Sequence, residues 1–163
     1  MKKIFVVVAL LTGLLSGCNK NLTEPVLHSP SGVNAFAVSA NSVVLSSAND
    51  SAMVAVFSWQ ASSYSVTVPI TYTLQIDQPS DTSGANGWAK ALNTTITTDS
   101  LTKSWLGTDF NHLLNQLGLP TGTASTIVAR LKMDVTQSNG SVSTVPTLFS
   151  TLSMTVTDRK SVV

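Results

Sequence analysis

Residues 70–77 read ITYTLQID. In an extended chain Ile70, Tyr72, Leu74 and Ile76 fall on one side, and Thr71, Thr73, Gln75 and Asp77 on the other. Successive strand side chains point to opposite faces, so this stretch predicts a strand with one buried and one wet face. The period returns in STIVARLKMDV, residues 125–135, with Ile127, Ala129, Leu131, Met133 and Val135 inward and Arg130, Lys132 and Asp134 outward. It returns again in LFSTLSMTVT, residues 148–157, where Leu148, Leu152, Met154 and Val156 share a side. Upstream, MVAVFSW at 53–59 places Met53, Ala55, Phe57 and Trp59 together, and FAVS at 36–39 and SVVLS at 42–46 are short strand candidates. Residues 94–106 hold one or two further short strands whose register the pattern leaves open.

The period changes once. In TDFNHLLNQLGLP, Phe110, Leu113, Leu114 and Leu117 recur at helical spacing. This predicts a short amphipathic helix over about 108–118. Thr108 or Asp109 would cap its start. Gly118 would end it, and Pro120 would prevent its return. Residues 78–92, QPSDTSGANGWAKAL, have loop composition. Short strands separated by turn signals, with one helix between them, predict an all-β class: an antiparallel sandwich in which the helix crosses from one sheet to the other.

The N-terminus has a different character. Lys2 and Lys3 precede an apolar run from Ile4 to Leu15, then the small residues Ser16 and Gly17, then Cys18, the only cysteine. A basic head, about a dozen apolar residues and a small-residue cut site predict a secretory signal over 1–17; a spanning helix needs about 20 apolar residues. Leu15-Ser16-Gly17-Cys18 resembles a bacterial lipobox, in which the cysteine becomes the lipidated N-terminus. The lipid on Cys18 would anchor the chain to a membrane, and no second cysteine exists to bridge with it. Residues 18–32 read as a tether with paired Asn, Ser and Pro residues and a closing Gly32, residues 33–157 as one domain, and 158–163 as a C-terminal tail.

Composition narrows the function classes. The formal net charge is +1 and charged residues make up 10% of the chain. No cluster of Lys or Arg is dense enough to neutralise phosphates, which argues against a nucleic-acid partner. His28 and His112 lie far apart and have no cysteine partners at zinc spacing. Acids are scattered, and nothing pairs a nucleophile with a base. The sequence therefore reads as non-catalytic, with no cofactor and no metal. Asp77, Asp81 and Asn86 are the nearest approach to a calcium set, in a loop whose composition equally describes a solvated surface.

FSWQASSY at 57–64, ITYTLQID at 70–77, DFNHLLNQLGLPTG at 109–122, ARLKMDV at 129–135 and LSMTVT at 152–157 together resemble the N-terminal domain of the SusE family. These are outer-membrane lipoproteins of Bacteroidetes starch-utilisation systems. The resemblance covers about residues 24–157 and implies an immunoglobulin-like β-sandwich, lipid-anchored in the outer membrane. It implies a protein that helps bind or present starch-like glycans at the cell surface beside an outer-membrane importer complex. In the family the sugar sites lie in further domains, so the resemblance equally admits a structural spacer or adhesion-type module that contacts protein partners. The stretch after Cys18 carries a single acid, Glu24, where surface-exported members often carry an acidic run, which leaves the leaflet open.

A sugar platform needs an aromatic face and polar groups beside it. Trp59 and Tyr72 lie on inward positions and read as core. Trp88, in the long loop with Asn86 and Lys90, and Tyr64, in a turn, are the candidate carbohydrate-binding residues.

Overall fold

The computed structural model describes residues 35–62, 64–65, 67–96, 100–135 and 145–159. The expected signal, Cys18, the tether and the last residues of the tail lie outside these.

The strands are β1 (Ala37–Val38), β2 (Ser42–Val44), β3 (Met53–Ser58), β4 (Ile70–Asp77), β5 (Leu92–Ile96), β6 (Thr102–Leu106), β7 (Ala124–Val135) and β8 (Leu148–Thr157), with helix α1 (Gly107–Gln116) between β6 and β7. They form a three-stranded sheet, β1-β3-β6, and a five-stranded sheet, β2-β8-β7-β4-β5. One continuous apolar core draws on both sheets and the helix: Phe57 and Trp105 from the smaller, Leu74, Ile76, Leu131 and Met133 from the larger, Phe110 and Leu114 from α1. The class is an all-β sandwich, as the alternating segments predict. Trp59 and Tyr72 are buried, with ring centroids 5.5 Å apart.

Among the described residues every pairing is antiparallel except that of β2 with β8, which is parallel. After β1 the chain leaves the smaller sheet and lies along the edge of β8. The contact is lengthened by Thr155 N–H donating to Asn41 O and Leu45 N–H donating to Thr157 O.

Two local expectations change. Met53 is exposed rather than inward, because the β3–β6 register shifts between Met53 and Ala55. An irregularity of that kind takes a residue out of the face its parity would assign. The helix starts one residue earlier than expected, and its N-cap is Leu106, with no side-chain cap, rather than Thr108 or Asp109. Its first N–H groups are satisfied from elsewhere: Gly107 N–H donates to Ala52 O and Thr108 N–H to Asp50 O. Its end matches the pattern. Gly118 takes φ +72°, and its N–H donates to Asn115 O. The helix leaves β6 of one sheet and delivers the chain to β7 of the other, so it is the expected crossover.

Gln75 and Asp77 occupy outward positions of β4 yet are buried. Something covers that face of the larger sheet.

Candidate functional site

Register sets the floor of the site. Gln75 of β4 lies opposite both Asn93 of β5 and Arg130 of β7, and Arg130 lies opposite Thr151 of β8. One step along, Lys132 lies opposite Phe149. Because one parity faces out, Gln75, Arg130, Lys132 and Phe149 share the outer surface of the five-stranded sheet.

The loop between β4 and β5 supplies the cover. It opens with a 3-10 turn, Pro79–Asp81, and turns again through Gly84 at φ +78°. Lys90 Nζ pairs with Asp81 Oδ2 at 3.4 Å across it. Trp88 N–H donates to Asp81 O at 2.7 Å, and Trp88 itself takes φ +66°. That region is unfavourable for a bulky side chain and persists only where its surroundings hold it.

The holding contact is Arg130. Its Cζ lies 4.0 Å from the Trp88 ring centroid and 4.4 Å from that of Phe149. Two aromatic rings thus engage one guanidinium, attracted by their negative faces. Arg130 Nε and Nη2 both donate to Gln75 Oε1, at 2.8 and 2.6 Å, and Gln75 Nε2 donates to Asn93 Oδ1 at 2.7 Å. Burial pulls the Arg130 pKa down from its ordinary value, with the Asp77 carboxylate opposing it through space. The group stays protonated. Trp88 is half-buried, and Phe149 is 46% exposed. The result is a patch with two aromatic rings, a charged fork and two amides.

Tyr64 lies elsewhere. It is half-buried, packs against the core, and its hydroxyl has no hydrogen-bond partner among the described residues. Burial raises its pKa, and the neighbouring Tyr72 and Asp134 raise it further. Asp134 is four residues along β7 from Arg130, roughly 13 Å at strand rise. The two sequence candidates are therefore not brought together. Near Tyr64's end of the sandwich, Ala61, Ser62, Val68, Pro69, Ile70, Tyr72 and Leu101 line a cavity of about 240 Å³. Ser62 N–H donates to the Tyr72 hydroxyl at 3.2 Å there.

Sequence reasoning missed Gln75, Asn93, Arg130 and Phe149 as partners of Trp88. The outward parity of Gln75 and Arg130 was the available signal, but only the strand register makes them neighbours. The oxygen set does not assemble around a common point. Asp77 Oδ1 accepts from Gln78 N–H, Asp81 pairs with Lys90, and no group of three His, Cys, Asp or Glu comes together among the described residues. His112 lies exposed on α1 beside Gln116, and Cys18 lies outside the described residues.

Among the described residues no helix is long and apolar enough to cross a membrane. The family model described as SusE outer membrane protein matches residues 21–132. That span contains Gln75, Trp88 and Arg130 and stops before Phe149. No curated protein and no solved structure matches the chain.

Proposed function

The chain belongs to the SusE outer membrane protein family, and from that premise we propose that it is a non-catalytic component of a glycan-uptake system. It sits at the outer membrane and helps hold starch-like glycans there through the outer face of its five-stranded sheet. Lipid on Cys18 anchors it, and the tether of residues 18–32 sets the domain off the lipid surface. The observation that carries the reading is Trp88. A partly buried indole is held at an unfavourable backbone angle over a sheet face that also presents Phe149 and Asn93, with Gln75 buried beneath. Flat apolar faces with amides beside them are the chemistry a sugar ring requires.

Affinity electrophoresis of the purified chain in starch and other glycan gels tests it. Retardation that disappears in Trp88→Ala, and persists in Tyr64→Phe, supports the outer face as the platform. Failure to be retarded on any glycan overturns direct binding and leaves the spacer reading. Arg130 favours that second reading to this extent: it already occupies one face of Trp88, as a loop clamp would. The anchor is tested separately. Cys18→Ala should move the chain from the membrane fraction to the soluble fraction, and retention in the membrane would overturn lipidation as the attachment.

A further inference from the structure

We propose that the patch around Arg130 recognises an acidic glycan, one whose sugar carries a carboxylate or sulfate. This rests on the outer face being a glycan platform, and it puts an acidic glycan in place of a neutral, starch-like one as the class that face prefers.

Arginine has five N–H groups in a planar fork. Here the Nε/Nη2 edge is directed at Gln75 Oε1, a neutral amide oxygen. Trp88 and Phe149 stack on the group. Among the described residues nothing accepts from Nη1, and Arg130 forms no ion pair. Two of the acids nearby are committed elsewhere. Asp134 is bound by Lys132 Nζ at 2.9 Å and by the Thr147 hydroxyl at 2.6 Å, and Asp81 is bound by Lys90. Asp77, 1% exposed, acts on Arg130 through space only: its Oδ1 accepts from Gln78 N–H, and its Oδ2 accepts no hydrogen bond among the described residues, from the guanidinium or any other donor.

What remains is the Nη1/Nη2 edge of a fork already oriented by its other edge and by two rings. That edge matches the two oxygens of a carboxylate, or two oxygens of a sulfate, in bidentate geometry. A purely structural clamp could satisfy its arginine with an internal carboxylate. This one uses a neutral acceptor and leaves the charged edge for an outside anion. A sugar ring resting at Trp88 or Phe149 would bring its acidic substituent alongside.

Isothermal titration of the full purified chain tests this with three probes of equal length: tri-galacturonate, its methyl ester, and maltotriose. The expected result is that tri-galacturonate binds about tenfold or more tightly than either neutral probe, that 0.5 M salt (roughly a 4 Å screening length) erodes the difference, and that R130K removes it. R130K keeps the charge but loses the fork. The ester comparison uses the unaltered protein, so it stands even if that variant folds poorly. Equal binding of acid and ester overturns the acidic-glycan proposal while sparing the platform. Binding of maltotriose alone does the same. Binding of no probe overturns the proposal; if starch and other glycan gels also fail to retard the chain, the platform falls with it.

Discussion

Gly107 lies against the backbone of Asn49 with no room between them for a β-carbon. The crowding follows from how the helix begins. Lacking a side-chain cap, α1 takes its first acceptors from the carbonyls of Asp50 and Ala52, so its first turn presses against that loop. Gly107→Ala must push the two backbones apart and should cost about 2–3 kcal/mol. Gly118→Ala is the control. It has open space but φ +72°, and should cost about 1–2 kcal/mol for the left-handed angle alone. Urea unfolding of both variants checks the order, and Gly107→Ala as the milder change would show that the contact relaxes freely.

That contact also marks where the sequence stops being informative. Strand β7 and the first half of β4 were legible because each buries the apolar parity and leaves the other partly open, which sorts Leu74 and Leu131 from Thr73 and Lys132. The helix was legible because Phe110, Leu113 and Leu114 share a stripe. Its cap was not, since the acceptors come from a loop more than fifty residues earlier. Met53 was misplaced by a register shift, which parity cannot register. The parallel seating of β2 on β8 depends on a sheet switch that no local pattern encodes. The candidate site was half legible. Trp88 stood out by its residue type in a polar loop, but Gln75, Arg130 and Phe149 reach it from three strands, through pairings that exist only in the folded sheet.

Phe110 joins the helix to the sandwich, fully buried and 6.1 Å from Trp105 between ring centroids. Phe110→Ala removes that ring and leaves a cavity where both sheets and the helix meet. The expected loss is about 3–5 kcal/mol. Leu106→Ala, on the neighbouring strand but 42% exposed, should change stability by less than about 1 kcal/mol. Chemical denaturation of the pair reads the contrast directly, and similar losses would place the helix seat elsewhere.

Asp158 gives the fold a pH dependence. It is 2% exposed, just after β8 ends, and neither carboxylate oxygen accepts a well-formed hydrogen bond among the described residues. Burial raises its pKa, and the Arg159 main-chain N–H and charge oppose this more weakly. The folded state therefore holds this proton to higher pH than the unfolded chain. Between the ordinary carboxylate pKa, about 4, and the raised folded value, folding binds extra protons, so this group's contribution to stability falls as pH rises. Asp158→Asn should melt above the wild type at pH 7, with the advantage shrinking towards pH 4. Thermal melts across that range check the sign, and an Asn variant less stable at pH 7 would mean that Arg159 outweighs burial.

Trp88 supplies the sharpest test of the site, because its backbone and side chain pull in opposite directions. The positive φ disfavours any residue with a β-carbon, by about 1–2 kcal/mol, while stacking on Arg130 returns about 0.5–1 kcal/mol. Removing the ring while keeping the β-carbon discards the gain and keeps the strain. Removing both discards both. Trp88→Gly should therefore be more stable than Trp88→Ala by about 1 kcal/mol, the reverse of the order found in a helix or strand interior. In both variants the 78–92 loop should exchange its amides faster than in the wild type, since Arg130 no longer pins it. Chemical denaturation with hydrogen-exchange mass spectrometry separates the two contributions. If Ala proves the more stable, the φ at Trp88 is not imposed by the loop. If the loop's exchange is unchanged in both variants, the Asp81–Trp88 hydrogen bond holds the loop without the arginine, and the stack on Arg130 is then free to serve a ligand rather than the fold.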